Sequence, residues 1–139
     1  MSREQMVAIV QRYFDAWNTG NLSLIDETIS PNLAVRGPQE TLVPPGQGRE
    51  FCRHAATRFR AAYPNLKCTI EQSVVEGDRV AIAWTMTGTG VGISPVFNLP
   101  DAGKKYNVFG TTIYRIADGQ IAELWQVSDM LGALRQLQG

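Results

Sequence analysis

The sequence predicts an α+β domain in which helices come first and antiparallel strands follow. Apolar residues recur at helical spacing as far as Tyr63, and from Lys67 the pattern changes to alternation broken by two glycine-containing turns. At 139 residues the chain falls in the usual range for one domain, residues 1–139, with one core and no need of covalent staples.

Ser2 and Gln5 have the spacing of a capping box, and Met6, Ile9, Val10, Tyr13, Phe14 and Trp17 share one helical face before Asn18-Thr19-Gly20 supplies a stop. A shorter helix starts at Ser23, buries Leu24 and Ile25, and ends before Pro31, whose ring disfavours helical geometry at Ser30. Leu33 to Arg36 reads as a short strand. Gly37 to Gly48 holds three glycines and three prolines in twelve positions, which predicts an irregular loop at a pocket mouth. From Arg49 to Tyr63 an apolar stripe (Phe51, Cys52, Ala55, Phe59, Ala62) opposes Arg49, Arg53 and Arg60, read as a solvated face, and Pro64 ends the helix.

Lys67 to Val75 and Arg79 to Thr89 form one hairpin through Glu76-Gly77-Asp78, and Lys104 to Ile116 and Ile121 to Val127 a second through Ala117-Asp118-Gly119. Gly90 to Gly103 connects them as a rim loop. Asp129 is placed to cap a last helix, with Leu131, Leu134 and Leu137 inward. Both faces of the late strands carry apolar residues, with Leu124 on one side and Trp125 and Val127 on the other. One face therefore packs on helices, and the other is expected to meet a second copy in a homodimer.

Thirteen basic residues balance thirteen acidic ones, so the chain lacks the field expected of a nucleic-acid binder. The N-terminus lacks a signal-peptide pattern and no stretch approaches a membrane span, which predicts a soluble cytoplasmic protein with no membrane partner. Cys52 and Cys68 belong to no metal-ligand spacing and read as small core residues. His54, the single histidine, has no second histidine for a metal site and reads as a surface residue between basic neighbours, so no metal is expected.

The order of elements, together with FDAWNTGN, VVEGDRVAIAWTMTG and IYRIADGQIAELWQVSDMLGALRQL, resembles the SnoaL-like polyketide cyclases over nearly the whole chain. That resemblance implies the cone of nuclear transport factor 2-like proteins: an α+β barrel in which a curved antiparallel sheet wraps around helices and encloses a pocket. It also implies cofactor-independent aldol cyclisation of a polyketide, or related proton-transfer or isomerase chemistry, in which a carboxylate takes a proton beside a carbonyl. Carried over by position, the cyclases' catalytic aspartate falls on Gln126 and their histidine on Thr112. An amide is not a base, and a threonine hydroxyl does not titrate near neutrality.

The expected chemistry is therefore altered. A three-residue Ala-Asp-Gly loop pairs Ile116 with Gln120, places Gly110 opposite Gln126 and Thr112 opposite Leu124, and puts Thr112, Tyr114, Gln126 and Ser128 on one face. This wall offers hydroxyls and an amide to a small apolar or aromatic ligand. Gln126 meets either that ligand or Thr112 or Tyr114 across the hairpin. Trp17 and Trp84 are core or cavity residues, and Arg36 is a strand end or a polar pocket residue. Asp129 is an N-cap, with a reserve role as a base. Two functions stay open, a cyclase-like enzyme and a non-catalytic binder of an apolar, ring-containing ligand.

Overall fold

A computed structural model describes residues 1–138. The elements run α1 (Arg3–Thr19), α2 (Ser23–Thr28), β1 (Ile29–Arg36), a 3-10 turn (Gly37–Leu42), α3 (Gly48–Ala62), β2 (Lys67–Glu76), β3 (Arg79–Thr89), β4 (Lys105–Ala117), β5 (Gln120–Ser128) and α4 (Met130–Gln138). The capping box at Ser2 is formed: Gln5 N–H donates to Ser2 Oγ at 3.1 Å, and Ser2 N–H donates to Gln5 Oε1 at 2.8 Å. Gly20 closes α1 in the left-handed conformation with φ 80°. Pro38 begins a short 3-10 turn inside the segment predicted to be irregular. Its missing N–H lies in the first turn, where no helical acceptor is required.

The five strands form one sheet in the order β1-β5-β4-β3-β2. β2 to β5 are antiparallel as expected, but β1 joins β5 in parallel through Val35 beside Leu124 and Arg36 beside Trp125, so the complete sheet is mixed. It is also open, with β1 and β2 at its edges, and helices rather than strand closure complete the enclosure. The strand predicted from Leu33 begins at Ile29 and passes through Pro31, which an edge strand tolerates because it needs no donor on its outer side.

The second hairpin differs from the expected register. Ala117 pairs with Gln120 across a two-residue turn in which Asp118 (φ 53°) and Gly119 (φ 76°) are both left-handed, the conformation of a type I′ turn. Ile116 pairs with Ile121 and Arg115 with Glu123, so Ala122 is an extra residue. This bulge has a physical reason. Ile121 and Leu124, three residues apart, are both buried, which strict alternation forbids and one inserted residue allows. Thr112 consequently lies directly opposite Gln126, and Gly110 opposite Ser128.

One core cluster joins Val10, Tyr13 and Phe14 of α1 to Ile25, Cys52, Ile82, Ile121 and Leu124. A second joins Tyr63, Leu66, Tyr106 and Val108 to Ala133 and Leu137 of α4. Trp17, Cys68 and Trp84 touch both clusters. Leu131, expected to point inward, is 58% exposed, because α4 turns Ala133 and Leu137 onto β4 instead.

The arginines of α3 are not merely solvated. Arg60 Nη1 donates to the carbonyls of Trp17 (2.9 Å) and Asn18 (2.8 Å), Arg49 Nε donates to the Ile29 carbonyl (3.0 Å), and Arg53 pairs with Asp26 at 2.7 Å. They tie α3 to α1, α2 and β1, and Arg60 satisfies carbonyls that the end of α1 leaves free. No helix among the described residues is long and apolar enough to cross a membrane.

Candidate functional site

A cavity of about 660 Å³ lies between the helices and the inner face of the sheet. α1 contributes Tyr13, Phe14 and Trp17, α3 contributes Phe51, Ala55 and Phe59, and the sheet contributes Trp84, Met86, Val108, Tyr114 and Gln126. Its size and largely apolar wall suit a drug-sized ring system. Pro38 and Leu42 from the 3-10 turn and Ser94 to Phe97 from the β3–β4 connection line its rim.

Three side chains form a directed hydrogen-bond chain in this wall. Trp84 Nε1–H donates to Thr112 Oγ1 at 2.9 Å, and Thr112 Oγ1–H donates to Gln126 Oε1 at 2.9 Å. An indole can only donate, so the Thr112 oxygen accepts from Trp84 and its proton passes to Gln126. The Gln126 carbonyl is thereby occupied, and its NH₂ remains to donate into the cavity. Thr112 is fully buried and lies behind the surface that Gln126 and Trp84 present. The chain fixes the amide's orientation and leaves Gln126 a donor on the cavity wall.

Tyr114 is buried, and that burial chiefly pushes its phenol well above the ordinary value; Tyr13, also buried, shifts the same way for the same first reason. Both stay protonated at neutral pH. Burial also raises the Cys52 thiol to about 11 and the Cys68 thiol to about 12, so neither cysteine supplies a thiolate nucleophile. Both are free and both line the cavity. No aspartate or glutamate lines the cavity among the described residues, and no group of three or more potential metal ligands forms among them.

Asp129 Oδ1 accepts the Gly132 N–H at 2.8 Å, the N-cap bond expected of it, and its side chain lies on the depression of the outer sheet face with Thr85, Phe109 and Thr111. Arg36 is exposed at the end of β1, pairs with Glu40 at 3.4 Å and does not line the cavity. His54 is exposed as predicted but also lines the cavity rim, one helical turn before Arg58. Arg115 turns outward to Glu123 at 3.5 Å. The structure thus gathers Gln126, Tyr114, Trp17 and Trp84 at one cavity with Thr112 behind them, and leaves Asp129 and Arg36 outside it.

The model of SnoaL-like polyketide cyclases matches residues 7–137. The chain belongs to the SnoaL-like polyketide cyclase family. Solved structures with the same fold include TsrD from Streptomyces laurentii, 29% identical, with a TM-score of 0.86 and 99% and 97% of the two chains covered. A candidate polyketide cyclase from Bacillus cereus is 31% identical at a TM-score of 0.78, covering 99% of this chain and 85% of its own. IdmH from Streptomyces antibioticus, also a candidate polyketide cyclase, is 26% identical at 0.80, covering 97% and 99%. Comparison with curated proteins gives no match. The open mixed sheet with helices on its inner face is thus the nuclear transport factor 2-like cone of the SnoaL-like proteins.

Sequence reasoning missed Tyr106, which lines the far end of the cavity, and Asp101, which is buried outside the lining; they are 5% and 1% exposed. Tyr106 had a usable signal, since it shares the strand parity of Val108 and Thr112. Asp101, in a Gly/Pro-punctuated connection, carried none.

Proposed function

We propose that this SnoaL-like protein binds a mostly apolar, ring-containing ligand in the cavity, with the Gln126 amide donating to a ligand oxygen, and that its aldol cyclase activity is weak or absent. The observation that carries this reading is the Trp84–Thr112–Gln126 chain, which leaves an amide donor on the cavity wall; this position is taken, by sequence resemblance, as that of the cyclases' carboxylate. A half-buried donor without a partner costs about 1–3 kcal/mol, and a ligand carbonyl would relieve that cost. Thermal shift against a panel of polycyclic ketones tests it. A ligand at a hundred times its Kd adds about 2.7 kcal/mol of stability, and Gln126→Leu is expected to weaken binding about tenfold, the worth of one hydrogen bond to the cavity. Failure of every ring compound to raise Tm would remove the reading.

A second reading keeps proton-transfer chemistry and rests on His54. Among the described cavity-lining residues it is the one imidazole, a side chain that can both accept and donate a proton. A measurable wild-type rate of proton exchange beside a bound ligand's carbonyl, lost in His54→Gln, would favour it over the binder.

We also propose that the outer sheet face pairs with a second copy. Ile113 lies beside Trp125 and Thr111 beside Val127 in the β4–β5 register, and Phe109 (54% exposed) extends the patch along β4. Such a contiguous apolar strip on a sheet face suits a two-fold contact. Light scattering at micromolar concentration should give twice the chain mass, and Ile113→Asp should give the monomer mass with the fold retained. A monomeric unmodified protein would sink the proposal.

A further inference from the structure

Among the described residues two buried side-chain polar atoms lack a hydrogen-bond partner, Tyr106 Oη and Asp101 Oδ2, and both belong to one corner of the molecule. Buried polar groups without partners are rare in native proteins, and two in one cluster point to something that completes them. Gly88, near the end of β3, and Gly90, just beyond it, build the corner. A Cβ at Gly88 would lie 2.8 Å from Tyr63 Cβ, and one at Gly90 would lie 2.5 Å from Asp101 Oδ2, so these glycines let Tyr63 and Asp101 sit on the backbone. Tyr106, paired with Gly88, meets Tyr63 edge-on with ring centroids 4.7 Å apart. Tyr63 and Tyr106 line the cavity. The Tyr63 phenol is pushed up first by burial, then by Tyr106, and then by the charge of Asp101, which places all three in one electrostatic neighbourhood.

Asp101 is held rigidly. Its Oδ1 accepts the Gly92 N–H at 3.0 Å, its own N–H donates to the Gly92 carbonyl at 2.8 Å, and Gly90 and Gly103 close the base of the connection at 2.9 Å. Only Oδ2 is left over. A carboxylate oxygen accepts and never donates, so the corner favours a hydrogen-bond donor. At the opposite end of the cavity, Gln126 offers a donor. Tyr106 and Thr112, the partner of Gln126, lie six residues apart on one face of β4, on the order of 20 Å along the strand before the side chains reach inward.

We propose that the Tyr106–Asp101 corner recognises a hydrogen-bond donor on the ligand, a hydroxyl or an amine, so that the ligand enters in one orientation with an acceptor oxygen at Gln126 and the donor at Tyr106. Tyr106 makes the contact, and Asp101 behind it sets the polarity. This rests on the reading of the cavity as a ring-binding site.

The test uses three probes with the unmodified protein and two variants, with affinity read from quenching of tryptophan fluorescence: anthraquinone, 2-hydroxyanthraquinone and 2-methoxyanthraquinone. The hydroxyl compound should bind about tenfold tighter than its methyl ether, which keeps the oxygen but cannot donate. Tyr106→Phe and Asp101→Asn should each reduce that preference to about twofold or less, while affinity for anthraquinone is unchanged. Neither variant should lower Tm, because Tyr106→Phe removes an unpartnered hydroxyl and the asparagine can still accept from Gly92. Binding of all three compounds without preference would overturn the proposal alone and would mean that water completes the corner. A preference that survives both variants, or a large loss of Tm in Tyr106→Phe, would also overturn it. Failure of all three to bind the unmodified protein would remove the ring-binding reading and this one with it.

Discussion

Gln126→Asp is expected to raise the rate of proton abstraction beside a bound ligand's carbonyl by about 10²–10⁴-fold, the range a positioned general base contributes. The side chain stands on the inner face directly opposite Thr112, whose hydroxyl already donates to the oxygen at this position. A carboxylate there accepts where the amide NH₂ can only donate, and the aspartate, one carbon shorter than glutamine, holds its oxygens closer to the strand. Partial burial disfavours its charged form, which raises its pKa towards the useful range. The sign of the pH dependence follows from this shift. A carboxyl whose folded pKa exceeds its unfolded value stabilises most below the unfolded pKa and loses that contribution as pH rises through the folded one. Activity should rise over the same interval in which stability falls. Gln126→Glu, which matches the amide in length, checks reach, and Asp129→Asn checks that the new rate does not come from the capping aspartate. The measurement is deuterium exchange at the carbon next to the carbonyl of a bound polycyclic ketone. A Gln126→Asp protein that binds the ketone and exchanges no faster than the unmodified chain would show that this position does not reach the reacting carbon.

Gly110→Ala should destabilise the protein by about 1–3 kcal/mol, the cost of overpacking a well-filled site, and should weaken ligand binding with it. Gly110 pairs directly with Trp84, and a Cβ there would lie 2.1 Å from Cζ2 and 2.5 Å from Cη2 of the indole. A ring packed between two core clusters has no flexible end to yield, so the indole must move. The Trp84–Thr112 bond would then fail, Thr112 would lose its donor, and the orientation of Gln126 would no longer be imposed. Gly92→Ala is the control: its added carbon meets nothing within 4 Å, and the effect should stay within about ±0.5 kcal/mol. Urea melts give the stability, and the tryptophan emission maximum reports movement of Trp84. Equal midpoints for the two variants would show that the indole accommodates the methyl group.

Much of the architecture was legible because it depends on local rules. The capping box at Ser2, the left-handed glycine after α1, the three proline or glycine stops and the two hairpins all follow from side-chain and backbone preferences that act over a few residues. The expected hairpin register also placed Thr112, Tyr114 and Gln126 on one inner face, and this held although the register itself did not. The observed pairing is shifted by two residues, and an even shift leaves every side chain on its face.

What required the tertiary structure was every choice between locally equal alternatives. Asp118-Gly119 suits a two-residue turn or a three-residue loop. The decision came from the need to bury both Ile121 and Leu124, which only a bulge at Ala122 permits and which brings Thr112 against Gln126. Likewise the arginines of α3 look solvated in a helical projection, because their acceptors, the end of α1 and the carbonyl of Ile29, arrive from elsewhere in the chain. Asp101 is the furthest such case. Nothing in Leu99-Pro100-Asp101 distinguishes it from an exposed loop aspartate, and its burial arises only because Gly90, just past the end of β3, has no side chain to keep it out. By itself, then, the sequence determined the elements, the faces and the family, all of which depend on spacing along the chain. The partners of Gln126, the parallel edge strand and the polar corner at Tyr106 depend on which distant backbones approach, and packing decided them.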